Sequence, residues 1–156
     1  MTKFLRVEKV LTEDDKIGIG MYRVFSTLGA FDQVFPHHEE TRDSRPSVER
    51  DERLSNNVYH HNIRQSNYYF GFANLDQLLA WIPTASTYSG IQKMKKLNLV
   101  VSVYKATPQS HPPSFIEGDA QVIAHQDTMQ RIASFKPHVL YRAPKKISQA
   151  LKEEQA

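Results

Sequence analysis

Hydrophobic and polar positions alternate in period two through Ile17-Gly-Ile-Gly-Met-Tyr-Arg-Val-Phe, placing Ile17, Ile19, Met21, Arg23 and Phe25 on one face and Tyr22 and Val24 on the other. That pattern predicts a strand over Ile17–Phe25. An earlier strand is expected around Phe4–Val10, with Glu13-Asp14-Asp15-Lys16 as a polar turn that lets the two pair as a hairpin. Asn74-Leu-Asp-Gln reads as a capping box, and Leu75, Leu78, Leu79 and Ile82 follow the spacing of one buried helical face before Pro83 ends it. A helix is therefore expected over Leu75–Ile82. A second short helix is expected over Tyr88–Lys96, with Ile91 and Met94 inward and Lys93, Lys95 and Lys96 outward.

In Leu97–Lys105 the residues Leu97, Leu99, Val101 and Val103 share one face and Val100 and Tyr104 the other, so this segment reads as a central strand. Pro108, Pro112 and Pro113 then make a stiff loop. After the turn at Glu117-Gly118-Asp119, a strand is expected over Gln121–His125 with Arg131–Phe135 as its neighbour. From Pro36 to Asn67 the chain is rich in His, Asn, Ser, Asp and Arg without a sustained apolar period, which predicts a long surface loop, and loops of that length are commonly functional or disordered. The expected architecture is α+β: a curved, mainly antiparallel sheet with one or two short packed helices and this loop. Residues 1–144 are expected to form one domain, followed by a charged terminal helix or tail over 145–156.

The chain has 156 residues and no cysteine, which excludes disulfides, a thiolate nucleophile and Cys-ligated metal. A chain of this length can bury a core without staples. The longest apolar runs are too short to span a bilayer and the N-terminus lacks an apolar signal core, so a soluble, cytoplasmic protein without membrane contact is expected. A formal net charge of +3 is a weak indication of polyanion binding.

His37-His38 and His60-His61 are adjacent pairs whose rings need not converge on one ion, and no metal site is expected. Gly18 and Gly20 sit inside an alternating strand, so they read as close packing or a bulge, not as a phosphate loop. Tyr68 and Tyr69 could stack on bases, with Lys93, Lys95, Lys96, Lys145 and Lys146 on phosphates; buried aromatics and solvated lysines are the competing reading. Arg23 stands on an apolar face and needs a partner. That partner is either an internal carboxylate, Asp51 or Glu117, or an anionic ligand.

Met21-Tyr22-Arg23, Arg45-Pro46-Ser47 with Asp51, Phe70 through Leu78, Val101-Ser-Val-Tyr104 and Gly118 through Val122 together resemble small bacteriophage-type proteins. Their order is also similar to a reduced ADP-ribosyltransferase-like fold. That resemblance implies NAD as cofactor, Arg23 on a dinucleotide phosphate or ribose, and Gln121 on the nicotinamide ribose or acceptor. It also puts the family's catalytic glutamate at Ile123, where this chain has no carboxylate.

No complete catalytic constellation emerges, and the expected function is that of a non-catalytic accessory or inhibitor-type protein, phage-encoded on the resemblance and acting in the host cytoplasm. A host protein is the favoured partner, held through Arg42, Arg45, Arg50, Arg53, His60 and His61 of the polar segment. Nucleic acid is the alternative partner, and an NAD-dependent transferase the enzymatic alternative.

Overall fold

Strand β1 (Thr2–Lys9) has two buried faces of different character: Leu5 and Val7 lie on one, Phe4, Arg6 and Glu8 on the other. Its central neighbour is β4 (Leu99–Ala106), antiparallel and in register from Thr2 opposite Ala106 to Lys9 opposite Leu99. The computed structural model describes residues 2–10, 12, 16–20, 51–64 and 67–152. Within these, β2 (Ile19–Gly20) pairs with the end of β1, so the expected hairpin is present; residues 21–25 of the expected strand lie outside the described ones. On the other side of β4 runs β7 (Met129–Phe135), which completes a four-stranded antiparallel sheet in the order β2-β1-β4-β7.

A second antiparallel sheet is built from β3 (Tyr68–Gly71), β6 (Val122–His125) and β5 (Phe115–Glu117), in the order β3-β6-β5. It is tied to the first by a pair of backbone hydrogen bonds between Leu5 and Phe72, 2.7 and 2.8 Å long. The expected antiparallel α+β architecture is thus present, divided into two sheets. The expected pairing of Arg131–Phe135 with Gln121–His125 is corrected: β7 pairs with β4 in the other sheet. The cause is the short 3-10 turn Gln126–Thr128, where His125 Nδ1 accepts from Asp127 N and Thr128 Oγ1 donates to the His125 carbonyl. Thr107 N then donates to Thr128 O, and the chain is handed from one sheet to the other.

Helices α2 (Leu75–Trp81), α3 (Tyr88–Lys96), α4 (His138–Arg142) and α5 (Pro144–Lys152) cover the Leu5/Val7 face of the larger sheet. Leu78, Trp81, Ile82, Ile91, Met94, Leu140 and Ile147 pack there with Leu99, Val101 and Val103. Each such fully buried aliphatic side chain contributes about 1.5–3 kcal/mol. The first two helices fall where the periodicity puts them. Asn74 accepts from Gln77 N and Thr87 from Gly90 N, while Gln77 reaches back to Ala73 N, one residue before the cap. The C-terminal helix enters this core through Ile147.

The expectation of an unbroken loop over Pro36–Asn67 is also corrected, because α1 (Glu52–His61) occupies part of it. Asp51 caps its N-terminus, and Asn62 in the left-handed region closes its C-terminus. Leu54 and Val58, one turn apart, pack against Tyr68, Ile116 and Ile123 of the smaller sheet. Two apolar residues suffice because the partner sheet supplies the rest of the contact. Residues 36–50, 65 and 66 lie outside the described ones.

Candidate functional site

The second face of β1 holds a buried cluster of charged groups. Glu8, fully inaccessible, accepts from Gly18 N at 2.9 Å and Tyr104 Oη at 2.6 Å on Oε1, and from Arg131 Nε at 2.9 Å on Oε2. Arg6 Nε lies 3.5 Å from Oε1, while its terminal nitrogens donate to the carbonyls of Phe70 and Gly18, and its guanidinium lies over the Tyr69 ring. Gly18 is required by this approach, since a Cβ there would come within 2.8 Å of the Glu8 carboxylate. Close packing at Gly18 agrees with its reading from sequence.

Arg131 reaches Glu8 because the ladder slips. Ser102 opposes Ser134 and Val103 opposes Ala133, but Tyr104 opposes Arg131, so Ile132 is the extra residue of a β-bulge. In an unbroken register Ile132 would stand beside Tyr104 on the charged face. The bulge sends Ile132 to the apolar core with Ala133 and Phe135, and brings Arg131 to the carboxylate.

Burial raises the Glu8 carboxyl, but the Arg6 charge and hydrogen bonds from Ser102, Tyr104 and Arg131 outweigh it and hold the group below the usual carboxylate range. Burial, reinforced by the Glu8 charge, pushes the Tyr104 phenol well above its ordinary value. Burial lowers the Arg6 guanidinium against the opposing pull of Glu8, whereas at half-buried Arg131 burial is overcome by Glu8. With both oxygens occupied, Glu8 is a poor general base, and the cluster acts as an internal strut joining β1, β4, β7 and the Gly18 segment.

A second buried carboxylate, Asp51, accepts from Leu54 N at 3.2 Å, Asp119 N at 2.9 Å and Ala120 N at 3.0 Å. It fastens α1 to the β5–β6 turn. Neither carboxylate signalled itself by a motif; their signals were charge inside the apolar Phe4-Leu-Arg-Val-Glu run and an Asp three residues before Leu54.

The predicted site residues disperse. Arg23, Arg42, Arg45 and Arg50 lie outside the described residues. Gln121, which the transferase resemblance would put on the nicotinamide ribose or acceptor, is buried, and Ile123 packs with Leu54, Tyr68 and Ile116. Glu117 is exposed and pairs with Arg53 at 3.1 Å. His60 and His61 are exposed at the end of α1 with their rings 5.1 Å apart, edge to face. Tyr68 is buried against His125 with its hydroxyl donating to Pro113 O, and burial raises its phenol; Tyr69 lies beneath Arg6. Of the two readings of these rings, base stacking or packing, the packing contacts are the ones present at Tyr68 and Tyr69.

Lys93, Lys95, Lys96, Lys145 and Lys146 do share a setting. All are exposed on the helical layer, where α4 packs against both α3 and α5 and adds exposed Arg142. Residues 77–116 and 128–152, which hold α3, α4 and α5, contain no aspartate or glutamate and ten of the chain's twenty lysines and arginines. Lys105 and Arg131 of that set lie on strands β4 and β7, and Glu153 and Glu154 follow α5 in the sequence, but the exposed lysines of α3 with Arg142 of α4 have no acidic residue within their own helices, and this layer is the surface most suited to an anionic partner.

Among the described residues, no cluster of three or more His, Cys, Asp or Glu side chains could hold a metal ion, and no helix is long and apolar enough to cross a membrane. No curated protein and no solved structure matches this chain. A family model described as bacteriophage T4 Y00F protein matches residues 1–138, both sheets and helices α1 to α3 included, and the chain therefore belongs to the bacteriophage T4 Y00F protein family.

Proposed function

We infer that this member of a phage family is a non-catalytic accessory protein that acts by binding a macromolecule, and that the macromolecule is a nucleic acid held on the α3–α5 layer. The observation that carries this reading is the segregation of charge: exposed lysines on α3 and α5 and exposed Arg142 on α4 between them, with no acidic residue in 77–116 or 128–152. Phosphate contacts need clustered cations, and carboxylates within a Debye length would weaken them. A binding role in place of turnover is supported by Ile123, which fills the smaller core where the transferase resemblance would require an acid.

Measured by fluorescence anisotropy, affinity for labelled DNA should fall steeply as salt rises. Replacing Lys93, Lys95 and Lys96 by Gln should reduce the slope of log K against log salt by about 0.7–0.9 for each phosphate that is no longer neutralised. Absence of binding at low salt, or an unchanged slope, refutes the assignment.

A second reading, host-protein binding, is favoured by α1, which is anchored by Asp51 and Leu54 yet presents Tyr59 at 90% exposure next to exposed His60 and His61. A single exposed aromatic on a polar helix is a smaller warrant than the basic layer. Capture of a host protein that is abolished in Tyr59→Ala, with no DNA binding, would reverse the ranking.

A further inference from the structure

Resting on the reading that the α3–α5 layer holds nucleic acid, we propose that its ligand is single-stranded and that Tyr88 and Tyr141 stack on its bases. Tyr88 is 63% and Tyr141 52% exposed, whereas Phe70, Phe72 and Trp81 are packed against one another inside. Tyr88 is the first residue of α3, held in place by the Thr87 cap. Tyr141 lies on α4, which packs against α3 and against the 3-10 turn Pro83–Ser86 that leads into Tyr88. Both rings therefore belong to the layer that carries the lysines.

The juxtaposition selects the ligand. Lys95 and Lys96 follow Tyr88 by about two helical turns, roughly 11 Å along the axis, so ring and ammonium groups can engage one short stretch of strand. A duplex hides the faces of its bases within its own stack, and exposed rings add little to its affinity. An unpaired strand offers those faces, and each stacked base adds to the phosphate contacts. Tyrosine suits the task because its hydroxyl tolerates water while its ring remains available.

The test compares labelled oligo(dT) with a labelled duplex of equal length. Single strands should bind more tightly, and Tyr88→Ala and Tyr141→Ala should each weaken oligo(dT) binding about five- to hundredfold without changing the salt slope. Tyr88→Phe and Tyr141→Phe should retain affinity, and circular dichroism should be unchanged in all four. Equal or tighter duplex binding, or alanine variants within about twofold of the parent, overturns the single-strand inference. If the Lys→Gln variant loses binding while the Tyr variants do not, the nucleic-acid reading stands and this one falls. Both readings fall if no nucleic acid binds at low salt, or if phosphatidylserine vesicles bind as tightly as oligo(dT).

Discussion

Replacing Glu8 by Gln keeps the size of the side chain and removes the negative charge from between two guanidiniums. Arg6 is 3% exposed and Arg131 19%, so neither can turn to bulk water for compensation without opening the sheet. Breaking a buried pair by removing one partner costs about 3–5 kcal/mol, a large share of the roughly 5–15 kcal/mol that holds a domain together. For a chain of this size each kcal/mol moves the melting temperature about 2–4 °C, so Glu8→Gln should melt about 6–20 °C lower. Tyr104→Phe removes one donor and leaves the carboxylate its other partners, and should cost less, about 1.5–3 kcal/mol.

The same cluster fixes a pH dependence. The folded state holds the Glu8 carboxyl below its ordinary value, so the unfolded chain takes up this proton first as pH falls. Its stabilisation is complete above the unfolded value of about 4.3 and is lost progressively as the medium is acidified toward the folded value. Urea denaturation of wild type and Glu8→Gln at a series of pH values should show a gap that is widest near neutrality and narrows below about pH 4. A gap under about 1 kcal/mol near neutrality, or one independent of pH, would refute the account of the cluster as a charged strut.

Asp51→Ala removes the α1 cap and two further backbone hydrogen bonds, and should cost about 2–4 kcal/mol, with faster amide exchange at Leu54, Asp119 and Ala120. Gly118→Ala would drive a Cβ against the Asp51 carboxylate and within 2.8 Å of Leu54 Cβ, and should destabilise by about 1–3 kcal/mol in the same denaturation assay. Asn74→Ala removes the cap of α2 and should cost about 1 kcal/mol, with no effect on DNA affinity.

The helices that periodicity exposed are those with a cap and an apolar stripe in the same short window: Asn74 with Leu75, Leu78 and Ile82, then Thr87 with Ile91 and Met94. Helix α1 escaped because its ten residues bury only Leu54 and lean on Val58. Its signals were at its ends, Asp51 before and Asn62 after, where a cap is legible even when the stripe is not. The placement of β7 was not legible, since adjacency in sequence favours pairing with β6. What decides against it is a three-residue turn and a bulge, and neither leaves a period in the chain.

The charged cluster illustrates a different limit. A charge on an apolar strand face needs a partner, and in β1 Arg6 finds its partners in the Gly18 and Phe70 carbonyls and Glu8 two of its donors almost a hundred residues or more further on, at Tyr104 and Arg131. A strand that alternates Leu5 and Val7 with Arg6 and Glu8 reads as half-solvated until a second sheet covers the other face. Net charge misleads for a related reason. A total of +3 averages seventeen acidic and twenty basic residues along the chain, whereas the fold packs together three helices from the acid-free segments 77–116 and 128–152. With a screening length of about 8 Å, a strand docked on those helices responds to the local cations, so the sorting of charge by the fold governs affinity more than the chain's total.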